Sequence, residues 1–224
     1  MVVGSEVNRR TDGRVGFDAF CANLQTVSFA LCDGANSCKD SGIAANWLAK
    51  EITGYPATVF DPIGYEKHVL ELHSQMRKEF PNTGSTLVWV NAVGHKLALL
   101  SVGDSSVQVF RRWVFDIGPW REVLKMPRDL DLMSNPTQLV GSEVLTKVNV
   151  TELFFEGPQL ILMMSDGPAD SVKQEELRRI LSYVRREEPS TYDLDFMCQQ
   201  IVCSAFKSGC SDDASAALIW LDGR

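Results

Sequence analysis

The sequence contains two short apolar runs that are each followed by an Asp-Gly dipeptide, and this repeated ending limits the folds open to the chain. Residues 26–32 (TVSFALC) end at Asp33-Gly34, and residues 159–164 (QLILMM) lead through one serine to Asp166-Gly167. Apolar runs of this length, bounded by turn signals, are typical of buried β-strands. The sequence therefore predicts two buried strands, each of which delivers an aspartate at its end.

The periodicity of the remaining chain predicts an α+β fold. Residues 116–136 contain Pro119, Pro127 and Pro136 with little periodicity, which indicates a surface flap. The element order favours a four-layer α-β-β-α sandwich, with two stacked and mainly antiparallel sheets flanked by helices. Apolar spacing predicts helices at 41–52, 62–80, 171–184 and 193–209. Residues of high strand propensity predict further strands at 85–93, 96–102, 107–114, 144–153 and 214–221.

Length, charge and cysteine usage exclude several classes of protein. A chain of 224 residues with 45% apolar residues and no linker predicts a single domain, residues 1–224. The net charge of −7 gives no positive field for nucleic acid. No secretory signal and no run of about 20 apolar residues is present, so no membrane partner is expected. Six cysteines without a C-x-x-C pair fit a reducing, cytoplasmic location.

Aspartates gather where the predicted strands end. Besides Asp33 and Asp166, Asp104 follows an apolar strand and Asp212-Asp213 precede the last one. Carboxylates that meet without a basic partner repel each other, and a divalent cation offsets this cost. Oxygen ligands, including the carbonyl of Gly34, suit Mg²⁺ or Mn²⁺. Two such ions can activate a water for in-line attack on phosphorus. The alternative is that each Asp-Gly pair only makes a turn, which is the simpler interpretation of either one alone.

Five segments resemble, in the same order, the motifs of the PPM (type 2C) metal-dependent Ser/Thr protein phosphatases. The Asp-Gly-Ala-Asn-Ser sequence is close to the Asp-Gly-Ala-Gly-Ser form of a compact bacterial subgroup. The segments are 29–35 with 41–45 (FALCDGA and SGIAA), 84–86 (GST), 101–106 (SVGDSS), 160–170 (LILMMSDGPAD) and 211–215 (SDDAS).

The resemblance implies a function for each of these aspartates. The fold would be a central pair of antiparallel sheets flanked by helical hairpins. Two Mn²⁺ or Mg²⁺ ions would be bound, with an optional third near the entrance. Asp33 would bridge both ions, and the Gly34 carbonyl would bind the second ion. Asp166 and Asp212 would complete the first ion site, and Asp104 and Asp170 would hold the third ion. Asp18 would hold a metal-bound water, and Arg14, or alternatively Arg10, would bind phosphate.

Five positions differ from the family pattern. Phe17 replaces a glutamate, Asn36-Ser37 replace a glycine pair, Ser106 stands where arginine is usual, and Asp213 stands where asparagine is usual. The changes at Phe17 and Asn36-Ser37 concern substrate range and the affinity for the second ion, whereas the carboxylates that would bind metal are retained.

The sequence thus predicts hydrolysis of phosphoserine and phosphothreonine in proteins by a hydroxide that bridges two divalent ions. The partner would be a phosphorylated protein, in opposition to a Ser/Thr kinase, and the protein would be a monomer. One alternative is a catalytically silent regulatory or phosphopeptide-binding module, and another is a two-metal nuclease, which the acidic balance disfavours. Cys32 is interpreted as a buried strand residue, and His68, His73 and His95 as structural or exposed.

Overall fold

The structure, a computed structural model, describes residues 1–9, 16–35, 40–56, 60–112, 119–184 and 188–222. The chain folds into two compact units, each built from separated segments. The first unit comprises Met1–Gly16, Val107–Lys125 and Phe155–Arg224, and the second comprises Phe17–Ser106 and Met126–Phe154. None of the described helices is both long and apolar enough to cross a membrane.

The described residues form ten strands and five helices. The strands are β1 (Val2–Arg9), β2 (Asp18–Asn23), β3 (Ser28–Asp33), β4 (Leu87–Val93), β5 (Lys96–Val102), β6 (Ser106–Arg112), β7 (Trp120–Lys125), β8 (Asn149–Phe154), β9 (Gln159–Met164) and β10 (Ala214–Leu221). The helices are α1 (Ser41–Thr53), α2 (Pro62–Glu79), α3 (Asp166–Ser171), α4 (Gln174–Leu181) and α5 (Thr191–Lys207).

The second unit is a sheet in the order β2-β3-β4-β5-β8 with α1 and α2. All four neighbouring pairs are antiparallel. Helix α1 buries a stripe of small and aliphatic side chains, including Ala44, Ala45 and Leu48, against β2 and β3. Trp89 fills the core beside Tyr65 of α2, with ring centroids 5.2 Å apart, and its indole donates to the Ser28 hydroxyl at 2.8 Å. This packing fixes β3, which ends at Asp33.

The first unit is a sheet in the order β1-β10-β9-β6-β7 with α3, α4 and α5. Helix α5 begins with a capping box, in which Ser190 Oγ accepts from the Asp193 N–H and the Asp193 carboxylate accepts from the Ser190 N–H. Gly4 of β1 lies so close to α5 that an added Cβ would be 2.5 Å from Leu194 Cβ. The absence of a side chain at Gly4 therefore allows the strand and the helix to touch.

The α+β class with mainly antiparallel sheets flanked by helices is confirmed, and strands β5, β9 and β10 have the predicted bounds. Three strands, β1, β2 and β7, were not expected. Strand β7 corrects the flap prediction for 116–136, because its residues pair with β6. Residues 130–137 are exposed as predicted, whereas 116–118 lie outside the described residues. The predicted helix at 171–184 begins only at Gln174, after the short helix α3, and residues 144–148 are not part of β8.

A substitution of Gly4 should show how much the close contact between β1 and α5 contributes to stability. We expect Gly4→Ala to lower the free energy of unfolding by about 1–3 kcal/mol, because the new Cβ would overlap α5. Gly54→Ala is the matched control. Gly54 has a φ of −74°, and the atom nearest to its added Cβ would be the Glu51 carbonyl oxygen, 3.3 Å away. Urea unfolding of both variants checks this prediction, and equal stabilities would contradict it.

The buried side chain of His73 should make stability depend on pH. Its Nδ1 accepts a hydrogen bond from the Gly141 N–H at 3.1 Å, which requires a neutral ring. Burial, aided by the charge of Arg77, lowers the pKa of His73 below its ordinary value of about 6.5. Burial also lowers the pKa of His68, although Glu71 partly opposes this. In acid the unfolded chain binds more protons than the folded chain, so stability should fall as the pH drops below about 6.5.

The His73→Asn variant isolates this contribution, because its side-chain oxygen can still accept from Gly141 but does not titrate in this range. We expect the unfolding free energy of the variant to fall less than that of the wild type between pH 7 and pH 5. Urea titrations at several pH values provide the measurement. If the two proteins lose stability in parallel, His73 is not the responsible group.

Candidate metal centre

Two carboxylates of the second unit stand directly opposite each other. Strands β2 and β3 pair in a register that sets Asp18 against Asp33. Directly opposed residues of an antiparallel pair have Cβ atoms about 4.5–5.5 Å apart, and like charges there are destabilising. Asp18 is only 3% exposed, which raises the cost of its charge. This arrangement favours a cation near both groups.

The position after Asp33 has no room for a side chain. The Gly34 N–H donates to the Phe17 carbonyl at 3.2 Å, and Gly34 also pairs with Ser85 in an isolated β-bridge. A Cβ on Gly34 would lie 2.6 Å from the carbonyl oxygen of Ser41, at the start of α1. The backbone is therefore packed against this helix, as expected where a carbonyl must come close to a ligand.

Ser85 and Thr86 hold the main chain of Asp33. The Thr86 N–H donates to the Asp33 carbonyl at 2.8 Å, and the Asp33 N–H donates to Thr86 Oγ1 at 3.0 Å. Ser85 Oγ donates to the same carbonyl at 3.1 Å. Thr86 Oγ1 also lies 2.7 Å from Ser105 Oγ, in a buried hydrogen bond. The Gly84-Ser85-Thr86 element thus fixes the position of Asp33.

Asp104 lies two residues after the end of β5, in a bend that Asp129 organises. Gly103 has a φ of +88°, and its N–H donates to Asp129 Oδ2 at 3.2 Å. The other oxygen of Asp129 accepts from the side-chain amide of Asn149 at 2.9 Å. The carbonyl of Asp104 accepts from Arg128 Nε. These contacts connect residues 126–149 to Asp104, and sequence reasoning missed Asp129 because the segment around it has no periodicity.

In the first unit, Asp166 and Asp212 lie at two joined strand ends. The Ser165 N–H donates to the Ser215 carbonyl at 3.1 Å, and the Ser215 N–H donates to Ser165 Oγ at 3.0 Å. These bonds tie the end of β9 to the start of β10. Asp166 and Gly167 begin helix α3, and a Cβ on Gly167 would lie 2.5 Å from the carbonyl oxygen of Asp213, so this position also has no room for a side chain.

The aspartates near these strand ends differ in their exposure to solvent. Asp213 is 2% exposed, whereas Asp166 and Asp212 are partly exposed and Asp170, at the end of α3, is exposed. Asp166 Oδ1 accepts from the Gly167 N–H at 2.6 Å, and Asp212 Oδ1 accepts from the Asp213 N–H at 2.8 Å. Each of these two carboxylates therefore has one oxygen committed to the adjacent backbone.

The cysteines beside these aspartates are poor nucleophiles. Burial, followed by the charges of Asp33 and Asp18, raises the pKa of Cys32 well above its ordinary value. Burial also raises the pKa of Cys210, although hydrogen bonds to the Asp212 backbone and to Ser171 partly oppose this. Both residues therefore favour the thiol over the reactive thiolate, which agrees with the interpretation of Cys32 as a buried strand residue.

The donors in each unit have the chemistry of a hard-cation site. They are carboxylates and backbone carbonyls, the ligands that Mg²⁺ and Mn²⁺ prefer. Across the described ranges, no three His, Cys, Asp or Glu side chains group closely enough to hold an ion. The predicted phosphate ligand Arg14, its alternative Arg10, and the variant positions Asn36-Ser37 lie outside the described residues.

Solved structures share the fold of this chain. PppA of Pseudomonas aeruginosa, described as a key regulatory component of T6SS, matches with a TM-score of 0.77 and 18% identity, covering 98% of this chain and 96% of PppA. The serine/threonine phosphatase PstP/Ppp of Mycobacterium tuberculosis matches with a TM-score of 0.76 and 17% identity, covering 99% and 98%. Stp1, a serine/threonine phosphatase of Staphylococcus aureus, matches with a TM-score of 0.73 and 16% identity, covering 100% and 96%.

The sequence itself shows the family of this chain. No curated protein matches significantly. The family model described as protein phosphatase 2C matches residues 8–192, which is well over half of the chain. This range contains Asp18, Asp33, Asp104 and Asp166, and the order of motifs predicted the same family. The chain therefore belongs to the protein phosphatase 2C family.

Proposed function

We propose that this protein is a metal-dependent phosphatase that removes phosphate from serine and threonine side chains of proteins, in opposition to a Ser/Thr kinase in the cytoplasm. The observation that carries the proposal is that Asp33 ends β3 and Asp166 begins α3, and that each is followed by a glycine with no room for a Cβ. A turn alone needs neither two carboxylates nor such close backbone packing. We propose further that both units act as a single catalytic domain.

The proposed ion ligands are oxygen atoms from both units. Asp33 and the Gly34 carbonyl, together with Asp166 and Asp212, would hold two Mn²⁺ or Mg²⁺ ions, and Asp104 and Asp170 would serve an optional third. A bound pair of such ions lowers the pKa of water and stabilises negative charge on a phosphoryl group.

The side chains of the protein would position the reactants. Asp18, buried opposite Asp33, would accept a hydrogen bond from the attacking water. The water oxygen would bond to phosphorus while the bond from phosphorus to the serine or threonine oxygen breaks, and that oxygen would leave with a proton. Arg14, or alternatively Arg10, would contact the phosphate oxygens, since a guanidinium matches their geometry.

The rival function is a catalytically silent module that binds phosphopeptides. Phe17 motivates it, because the ring occupies the position of a family glutamate and packs at the start of α1, where a Cβ on Gly42 would lie 2.9 Å from Phe17 Cδ1. An apolar ring cannot replace a carboxylate as a ligand. The retained carboxylates count against this rival, because a binding module has no need for mutually repelling charges.

Metal-dependent turnover is the first prediction of this proposal. The purified protein should release phosphate from a phosphothreonine peptide and from p-nitrophenyl phosphate with Mn²⁺ or Mg²⁺, but not with EDTA. Asp33→Ala and Asp166→Ala should each reduce kcat by about a hundredfold or more, because each removes a proposed ion ligand. Asp61→Ala is the control, since Asp61 precedes α2 and makes no side-chain capping bond.

Calorimetric Mn²⁺ titration separates the rival from the proposal. A folded wild type that binds Mn²⁺ and yet releases no phosphate from either substrate would exclude catalysis and leave the binding module. Equal activity in Asp33→Ala and Asp61→Ala would show that Asp33 is not an ion ligand.

Thr86 should act as a positioning residue for Asp33. Thr86→Val removes the hydroxyl that accepts from the Asp33 N–H and that bonds Ser105. We expect the Mn²⁺ concentration for half-maximal activity to rise about tenfold, since residues that orient metal ligands have effects of this size. Thr86→Ser keeps the hydroxyl and should restore the wild-type value. A loss of thermal stability without a change in Mn²⁺ dependence would leave Thr86 with a structural role only.

A further inference from the structure

A cavity of about 440 Å³ lies in the second unit, beside the turn that carries Asp33. It is open to solvent and is bordered by the end of α2, the turn that follows this helix, and the loop before β8. Its lining includes Ala35, Arg77, Asn82, Gly84, Ser142 and Glu143. Neither the ion ligands proposed above nor the water-positioning residue Asp18 is part of this lining.

Backbone pairing connects the cavity wall to the candidate metal centre. The Ala35 N–H donates to the Gly84 carbonyl at 2.9 Å, and both residues line the cavity. Ser85 pairs with Gly34 on one side and with Val140 on the other. Ala35 follows Asp33 by two residues, so their Cα atoms are at most about 7.6 Å apart. An extended peptide covers a similar distance in two residues.

Two opposite charges on the cavity lining have no partner within the described part of the chain. Arg77 and Glu143 are both exposed, and neither takes part in a hydrogen bond or an ion pair. Elsewhere on the surface the protein does pair such groups, for example Lys96 with Glu152 at 2.7 Å. The guanidinium of Arg77 is therefore available to a ligand.

We propose that this cavity binds an anionic side chain of the substrate, about two residues from the phosphorylated one, and that Arg77 is the specificity-determining residue. The proposal rests on the phosphatase function proposed above. The anion can be a carboxylate or a second phosphate, because a guanidinium forms two parallel hydrogen bonds with either. The net charge of −7 disfavours acidic peptides in general, so a preference for an anion at this position would come from Arg77.

Substitution of Glu143 should have the opposite effect on substrate binding to substitution of Arg77. It lines the same cavity and should repel an anionic side chain, so removing its charge should improve the binding that removing Arg77 weakens. Lys78 is the matched control, because it neighbours Arg77 on α2 and is also exposed, yet it does not line the cavity.

The experiment compares four phosphothreonine peptides that differ only two residues from the phosphothreonine, where they carry Asp, phosphoserine, Ala or Lys. We expect Arg77→Gln to lower kcat/KM two- to fivefold, roughly the effect of one exposed ion pair, for the Asp and phosphoserine peptides only. Glu143→Gln should raise kcat/KM for the same two peptides, and Lys78→Gln should leave all four unchanged. A loss confined to one of the two anionic peptides identifies which anion the cavity takes.

Fluorescence anisotropy of the labelled Asp peptide in EDTA measures binding without turnover and separates the two proposals. Binding that depends on Arg77 without turnover in Mn²⁺ would overturn the phosphatase function and keep the cavity as an anion site. Turnover that Arg77→Gln changes equally for all four peptides, or not at all, would overturn the subsite. Matching effects of Arg77→Gln and Lys78→Gln would overturn it too. Thermal unfolding confirms that the variants are folded.

Discussion

The candidate centre in the second unit depends on the hydrogen bonds that fix the backbone of Asp33. Its N–H and carbonyl are both bonded to Thr86, and Ser85 adds a third bond. These bonds hold the end of β3 against the start of β4, and the β-bridge from Ser85 to Val140 extends the same network to the cavity with Arg77. The position of the proposed ion ligand and the shape of the proposed subsite therefore share one support.

The two Asp-Gly pairs show why the sequence predicted the candidate ligands so directly. Each marks the end of a buried strand, although Gly34 continues the strand pairing and Gly167 lies in α3 where the sequence predicted turns. At both glycines an added Cβ would collide with a neighbouring backbone carbonyl. Strands β5, β9 and β10 were predicted with the same bounds because they are buried along nearly their whole length. Burial on both faces leaves a continuous apolar signature.

The missed features lack such a signature. Strand β7 (WREVLK) is mostly exposed and lies at the edge of its sheet, so its sequence shows neither an apolar run nor a clear alternation. Asp129 organises the turn beside Asp104 through partners that are distant in sequence, including Asn149, and no local pattern marks a residue of this kind. Arg77 likewise belongs to an ordinary exposed helix face, and only the fold shows that it lines a cavity.

The buried aspartates are costly for folding, so their presence points to a requirement of function. Asp18 and Asp213 are almost fully buried, and Asp18 stands opposite a second carboxylate, which a chain selected for stability alone would avoid. An ion that binds only the folded chain would offset this cost, so the same carboxylates would couple folding to metal binding. The carboxylates do not serve to activate Cys32 or Cys210 as nucleophiles, because the pKa values of both thiols are raised. The carboxylates are therefore better explained by the chemistry that they support than by the fold that contains them.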